Sequence, residues 1–270
     1  MNDHLTREQS VRLAALMRNQ LSEATAAAHG LGQLIGTNEP GQEHLAILNR
    51  GLYRQLRLVH HLELLCRLTD ENEIRLRARP VDLVTLCSDL AAQAEGILRA
   101  GGLSLTFHTS RTSLLTFADP GLLEDMLLCL LSNSVHALNG QGNIDLSLEE
   151  RDGRILLLMT DNGGGVSDQA LAEFFECPEE EYEVPTEITL KLGLPLARQI
   201  AALHDGFVVA DSYAGKGVRL AVILPVQPCD GVASLRSPLP APGDDGFNRI
   251  LVELSDALPA GFYHHEELNE

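Results

Sequence analysis

Small and apolar residues recur at alternating steps of three and four along the first part of the chain. Such spacing places them on one face of a helix, as in a heptad seam. The positions are Ala14, Met17, Leu21, Ala24, Ala28, Leu31 and Ile35. A cluster of helix breakers at 36–41 ends the pattern. A second helix is predicted beyond it, with its seam at Leu45, Leu48, Leu52, Gln55, Val59, Leu62 and Cys66.

The two predicted helices form an antiparallel hairpin, because the connection between them is short. A hairpin with one apolar stripe on each helix leaves much of that stripe exposed. We therefore predict that it dimerises into a four-helix bundle through residues 1–78. The alternative is that the hairpin packs on the domain that follows it in the same chain.

The pattern then changes to mixed strands and helices over residues 79–226, which we predict to be one domain. Helices are predicted at 81–98, 120–138 and 193–203, with a short one at 171–175. Strands are predicted at 103–109, 114–118, 143–149, 154–160, 206–212 and 217–224. Tight turns at 151–153 and 214–216 make hairpins of neighbouring strands. The fold class is therefore α+β, a two-layer α/β sandwich with helices on one face of a mixed sheet.

The last part of the chain, 227–270, has the composition of a linker and an acidic tail. It is rich in Pro and Gly up to about residue 245, and we expect it to be partly ordered at most. Residues 249–254 alternate enough for a short strand or a helical turn. As an alternative, Ile250, Val252 and Leu254 dock on the sheet edge or on a partner.

Composition and charge narrow the classes of partner. The 270 residues carry a formal net charge of −18, without any basic run. This balance argues against a nucleic-acid partner and against an anionic membrane surface. Five scattered cysteines suit a reducing compartment better than a disulfide framework or a zinc site. With neither a signal peptide nor a membrane span in the sequence, we expect a cytoplasmic protein.

The most suggestive polar motif follows the predicted strand 154–160. Asp161 and Asn162 are followed there by three consecutive glycines. A carboxylate beside residues without side chains places backbone amides and one fixed acid at the mouth of a pocket. The same pattern is also found in ordinary turns, so the motif alone leaves both interpretations open.

Two further motifs set Asp161 in a recognisable order. Asn133 lies on the preceding predicted helix, and the sequence Leu-Gly-Leu at 192–194 begins a later one. This order and spacing resemble the ATPase domain of sensor histidine kinases, within the wider GHKL family. The resemblance covers about residues 79–226 and includes Pro80–Leu83, Ala118–Pro120, His204–Gly206, Gly215–Gly217 and Leu224–Pro225. The N-terminal hairpin looks like the dimerisation and phosphoacceptor hairpin of the same proteins.

The resemblance implies ATP and Mg²⁺ as cofactors. Asn133 then coordinates the magnesium that bridges the phosphates, which is a hard oxygen ligand of the expected kind. Asp161 accepts a hydrogen bond from the adenine amine, and Gly163 and Gly165 let the backbone approach the base. His136, Gly193, Leu194 and Gly217 also match positions of the nucleotide site, and Lys191 is included as the only positive charge nearby in the sequence.

The hairpin departs from the kinase pattern at the phosphoacceptor. An alignment anchored on Leu21 and Gly30 puts Asn19 where the kinases have their histidine, and Gln20 where they have an acid. An amide nitrogen is not a usable nucleophile at neutral pH, so we predict that autophosphorylation at this position is lost. Folding the hairpin brings His60 and His61 to nearly the same level as Asn19 along the hairpin axis. These two histidines are either substitute phosphoacceptors or polar surface residues.

The phosphate end of the nucleotide site departs as well. Cys129 stands where related proteins carry a second Asn or a catalytic Glu, and residues 189–191 replace the expected glycines. Residues 171–190 contain seven Glu and no Lys or Arg. Such a lid repels a triphosphate by about 1 kcal/mol for each close exposed pair.

We therefore predict a degenerate, histidine-kinase-like homodimer of two-component signalling that binds a response regulator or a partner kinase. One alternative is a non-enzymatic scaffold, or a phosphotransferase-like protein without nucleotide. Another is an active ATPase or protein serine kinase of the same superfamily.

Overall fold

The structure is a computed structural model that describes residues 7–36, 38–68, 76–167, 192–212, 216–229 and 247–264. The chain divides into two compact units, a helical unit drawn from 1–74 and 242–270 and an α/β unit drawn from 75–241. The predicted domain boundaries at 78 and 226 stay predictions. Among the described helices, none is both long enough and apolar enough to cross a membrane.

The helical unit begins with the predicted hairpin, made of α1 (Arg7–Ile35) and α2 (Glu39–Leu68). Gly36 ends α1 with a φ of 56°, a conformation that glycine adopts without strain. Three seam positions of α1 that are seven residues apart are buried, namely Ala14, Leu21 and Ala28. The intervening Met17 and Leu31 are exposed. Half of the predicted α1 seam therefore packs inside the unit and the other half faces outward.

The C-terminal segment, residues 247–264, also belongs to the helical unit and packs on α2. It consists of α6 (Arg249–Glu253) and the 3₁₀ turns Leu254–Asp256 and Ala260–Tyr263. The ring of Tyr53 lies edge-on between Phe247 and Tyr263, with centroid distances of 5.8 and 5.2 Å. The segment thus forms a helical turn, one of the two predicted forms. It docks on α2 of its own chain, not on the sheet edge.

This docking corrects the predicted seam of α2. Leu48 and Leu62, which the periodicity assigned to the seam, are exposed. Asn49, Tyr53 and Arg57 are buried instead. Their polar and aromatic side chains gave no apolar signal, because the surface that covers them lies about 200 residues away in sequence.

The α/β unit contains a five-stranded sheet in the order β2, β4, β5, β7, β6. Only β2 and β4 run parallel, and the other neighbours are antiparallel. The turn between β4 and β5 contains Asp152 and Gly153 with φ values of 51° and 72°, as hairpin turns require. The strands are β2 (Leu103–Thr109), β4 (Gly142–Arg151), β5 (Arg154–Asp161), β6 (Phe207–Ser212) and β7 (Val218–Pro225).

One face of this sheet is buried under helices α3 (Leu83–Ala100), α4 (Pro120–Leu138) and α5 (Gly193–Leu203). Side chains alternate across a strand, so every second residue of β5 points inward. The inward row of β5 is Ile155, Leu157, Met159 and Asp161. The predicted α+β sandwich is confirmed, and its apolar core row ends in a carboxylate.

A separate two-stranded sheet joins β1 (Arg79–Asp82) to β3 (Leu115–Ala118). The prediction of a helix from residue 81 was wrong by two residues, because Val81 and Asp82 pair with β3. Asp82 is the N-cap of α3: its Oδ1 accepts hydrogen bonds from the backbone N–H of Val84 at 3.1 Å and of Leu114 at 3.0 Å.

Replacing Asp82 with Ala is expected to destabilise the α/β unit. The change removes a helix cap and leaves the buried N–H of Leu114 without an acceptor, for a loss of about 2 to 4 kcal/mol. Urea unfolding followed by circular dichroism measures it. Asp89→Ala is the matched control, because the Asp89 side chain lies on the same helix outside the cap; equal losses in the two variants would contradict this account.

Candidate functional site

Asp161 is held in place by one of its two carboxylate oxygens. Its Oδ1 accepts hydrogen bonds from the backbone N–H of Gly163 at 3.0 Å and of Val218 at 3.2 Å. Its Oδ2 is also buried, yet within the described residues it has no hydrogen-bond partner. A buried carboxylate oxygen without a donor is costly. Among the described residues, Oδ1 of Asp161 is thus satisfied by the backbone and Oδ2 is not.

Glycines pack directly against this carboxylate. A Cβ on Gly217 would lie 1.9 Å from the backbone oxygen of Asp161, and φ at Gly217 is 86°. A Cβ on Gly163 would lie 2.8 Å from the carbonyl oxygen of Ala137. Gly165 also has a positive φ, 70°. Side chains at 163 and 217 would displace Asp161 or α4, so these two glycines are required by close packing.

Asn133 lies in the middle of a row on α4. Cys129, Asn133 and Ala137 follow one another at intervals of four, so they share one face of the helix. Gly163 packs against Ala137 at one end of this row, and Gly193 lies against the side chain of Cys129 at the other. Both glycine motifs therefore border the half-buried Asn133, over about 12 Å of helix.

The other predicted site residues lie at the start of α5, in the last turn of α4 or outside the described residues. Gly193 and Leu194 form the first turn of α5, whose N-cap Leu192 provides no side-chain hydrogen bond. Backbone N–H groups in a first helical turn have no intrahelical acceptor and attract anions. His136 is exposed on the last turn of α4. Lys191 and the acidic stretch 171–190 lie outside the described residues.

Sequence reasoning missed the polar side chains that hold the glycine stretch. The Oγ of Ser212 accepts from the N–H of Val166 at 2.8 Å and donates to its carbonyl. The Oδ1 of Asn162 accepts from the N–H of Asn143 at 2.8 Å. Ser212 carries no distinctive motif, and Asn162 lies in the glycine motif without any sign in the sequence of the contact that its side chain makes. Finding them requires the strand register, which brings their partners to the same edge of the sheet.

On the hairpin, the position aligned with the phosphoacceptor is occupied by an exposed Asn19. The neighbouring Arg18 donates from Nε to Oε1 of Glu63 on α2, at 3.3 Å. His61 is 1% exposed, and its Nε2 lies 2.8 Å from Oε2 of Glu253. In this arrangement His61 is committed to the C-terminal segment, so it is not available as a surface acceptor.

Comparison with known proteins assigns part of the α/β unit to a family and finds relatives for a longer stretch of the chain. Residues 118–228 match the family of histidine kinase-, DNA gyrase B-, and HSP90-like ATPases. The sensor histidine kinase ZraS of Klebsiella oxytoca is 29% identical over 227 residues, which cover 80% of this chain and 46% of that protein. The circadian input-output histidine kinase CikA of Synechococcus elongatus is 27% identical over 180 residues, 62% of this chain and 24% of that protein. The chain thus spans less than half the length of these relatives.

Solved structures show the same fold at lower identity. Full-length ShkA in complex with AMPPNP aligns with a TM-score of 0.67 at 24% identity, covering 83% of this chain and 47% of that one. The Acinetobacter baumannii histidine kinase AdeS aligns with a TM-score of 0.53 at 19% identity, covering 67% of this chain and 85% of that one. Residues 118–228 therefore carry a histidine kinase-like ATPase domain, and over most of its length the chain is similar in sequence to sensor histidine kinases.

Proposed function

We propose that the α/β unit binds ATP, with the adenine amine donating to Oδ2 of Asp161. The observation that carries this proposal is the buried Oδ2 without a described partner, beside an Oδ1 already occupied by two backbone amides. An exocyclic amine is a neutral N–H donor, which is the group that this oxygen lacks. The close packing of Gly163 and Gly217 holds the backbone directly beside this carboxylate.

The phosphates would lie along the α4 row, toward Gly193. The carboxamide oxygen of Asn133 would hold Mg²⁺, and the first-turn amides of α5 would face the phosphate oxygens. Cys129 offers a thiol, which is a poor ligand for a hard cation, so Mg²⁺ would keep several waters. Lys191, which immediately precedes the N-cap Leu192 in the sequence, would supply positive charge for the phosphates.

The hairpin, in this proposal, does not accept the phosphoryl group at residue 19. Asn19 has no nucleophilic nitrogen, and His61 is buried against Glu253. The protein would then act in two-component signalling as a degenerate kinase that binds a response regulator or a partner kinase, without a phosphohistidine of its own.

A homodimer through the hairpin would cover the outward half of the α1 seam. Large apolar side chains are exposed there, from Leu16 at 61% to Leu34 at 84%, together with Leu13, Met17 and Leu31. An apolar stripe along a whole helix is typical of an interface with another helix. A second copy of the hairpin presents the same stripe, as a two-fold interface requires.

Replacing Asp161 with Asn is expected to weaken nucleotide binding selectively. The amide keeps an acceptor for Gly163 and Val218 but places an N–H donor where the adenine amine would donate. We expect the affinity for ADP with Mg²⁺ to fall about 30-fold, roughly 2 kcal/mol, in calorimetric titration. Asp145→Asn, at an exposed position of β4, is the control. An unchanged affinity in Asp161→Asn would refute the assignment of Asp161 to adenine.

Incubation with γ-labelled ATP and Mg²⁺ tests the loss of the phosphoacceptor. We expect no acid-labile label on the wild-type chain, because Asn19 cannot form a phosphoramidate and His61 is buried. His60→Gln and His61→Gln serve as controls that should match the wild type. Acid-labile label that disappears in one of them would instead identify a substitute acceptor and overturn this part of the proposal.

Leu16→Glu is expected to shift the chain toward monomer, because a carboxylate would be desolvated in the interface. Sedimentation equilibrium at several concentrations measures the association constant. Gln33→Glu is the control, since it adds the same charge to α1 at an exposed polar position outside the stripe of Leu13, Leu16 and Met17. A wild-type chain that stays monomeric at high concentration would rule out this dimer.

A non-enzymatic scaffold remains the second candidate, motivated by the seven Glu of residues 171–190 and by Cys129 beside Gly193. The two functions differ in a simple observation. A chain that binds nucleotide gains thermal stability when ADP or ATP is added with Mg²⁺. The gain increases with the ratio of the nucleotide concentration to its Kd. No gain at millimolar nucleotide would favour the scaffold.

A further inference from the structure

Helix α2 carries a row of basic side chains that nucleotide binding does not use. Arg50, Arg54, Arg57 and His61 are spaced by four, three and four residues, so they lie on one face of the helix. The chain has 20 Lys and Arg against 38 Asp and Glu, so a row of this kind is a local reversal of the overall charge. The C-terminal segment lies directly on it.

Two carboxylates of the segment, three residues apart, bind this basic row. The Oε1 of Glu253 accepts from Nε of Arg57 at 3.1 Å, and its Oε2 lies 2.8 Å from Nε2 of His61. Asp256 forms an ion pair with Arg57 and another with Arg54, whose Nε lies 2.9 Å from Oδ1. Both oxygens of each carboxylate are therefore engaged.

Backbone carbonyls at the end of the short helix α6 complete the contact. The Nε of Arg50 and the Nε of Arg54 donate to the carbonyl oxygen of Ser255, at 3.1 and 3.3 Å. The carbonyl of Asp256 accepts from Arg50 Nη2 at 3.2 Å. The row thus binds the acidic pair and the backbone beside it.

Apolar and aromatic contacts anchor the rest of the segment. Leu251, Leu254 and Tyr263 are buried, and the hydroxyl of Tyr263 donates to the carbonyl of Leu251 at 2.8 Å. Asn49 of α2 donates from Nδ2 to the carbonyl of Tyr263 at 3.0 Å. The arrangement has apolar anchors in pockets and a fixed set of charge-assisted hydrogen bonds, as peptide-recognition sites do.

Glu253 stays ionised in this contact. Burial by itself raises the pKa of Glu253, but the facing charges of His61 and Arg57 and the hydrogen bond with His61 outweigh it and hold the pKa at about 2. The stabilisation from this carboxylate is therefore present above the ordinary Glu pKa and is lost as the pH falls toward 2. At neutral pH the row binds a charged acid.

We propose that the basic row of α2 is a recognition site for acidic segments, and that the C-terminal segment is its ligand within the same chain. The recognised pattern is two acids three residues apart beside aliphatic side chains. A buried ion network is a poor source of stability but fixes one orientation, which suits recognition. A partner protein that presents the same pattern would compete for the row. This inference does not depend on nucleotide binding.

Exchange of the segment tests the proposal on the full chain. A protease site is introduced within residues 231–241, a Pro-rich stretch of the sequence, and is cut after folding. A labelled synthetic peptide of residues 247–264 is expected to replace the released fragment saturably. The same peptide with Glu253→Gln and Asp256→Asn is expected to bind at least about 10-fold more weakly, because two charge-assisted contacts become neutral.

Variants of α2 supply the matched comparison. Arg57→Gln is expected to remove most of the preference for the acidic peptide, whereas Arg67→Gln, an exposed arginine on the same helix, is expected to keep it. Equal binding of the two peptides would overturn the proposal. So would a fragment that does not exchange over days, or a loss of helix signal after cutting, because the segment would then be a permanent part of the hairpin core.

Discussion

The α/β unit depends on how the chain uses the two oxygens of Asp161. The inward row of β5 brings this carboxylate to the end of an aliphatic core, where Oδ1 binds the amides of Gly163 and Val218. That single oxygen joins the glycine stretch to the start of β7. The side chain must therefore stay where it is for the sheet edge to keep its shape, and Oδ2 is left facing inward. The hydrogen bonds to Oδ1 that shape this edge of the sheet therefore also fix the position of Oδ2, the acceptor in the proposed site.

The two units each bury an acid, with opposite consequences. Glu253 has both oxygens bound, one by Arg57 and one by His61, so its site is already filled by the chain itself. Asp161 has one oxygen bound by the backbone and one that no described residue satisfies. The first arrangement covers a surface of α2, and the second is the basis for the ligand position that we propose. This contrast is the reason that we propose nucleotide binding for the α/β unit. For the helical unit we propose instead that acidic segments compete for the basic row of α2.

Much of the α/β unit was predictable because local patterns and global packing agree there. Strands 103–109 and 154–160 alternate clearly, and Pro120 begins a helix where a first-turn proline is favoured. The site motif at Asp161 was visible for the same reason. The hydrogen bonds of its carboxylate were not, because the bond from Val218 to Oδ1 depends on the strand register.

The helical unit was harder to predict because its packing joins distant parts of the sequence. Tyr53 and Arg57 interrupt the expected seam of α2, and only the C-terminal segment explains their burial. Periodicity measures apolar side chains, so a face held by an ion network carries no such signal. The same limit applies to Ser212, whose hydroxyl holds Val166 without any motif that marks it.

Nucleotide binding, as proposed, depends on Oδ2 of Asp161, which no described residue satisfies, accepting from an amine. Calorimetric titration with ADP and with inosine diphosphate, which has a carbonyl in place of the amine, isolates this contact. Both ligands carry the same phosphates, so the phosphate end contributes equally to each. We expect ADP to bind about 30-fold more tightly, because the carbonyl would face a buried carboxylate oxygen. Equal affinities, or no binding of either nucleotide at millimolar concentration, would contradict the account.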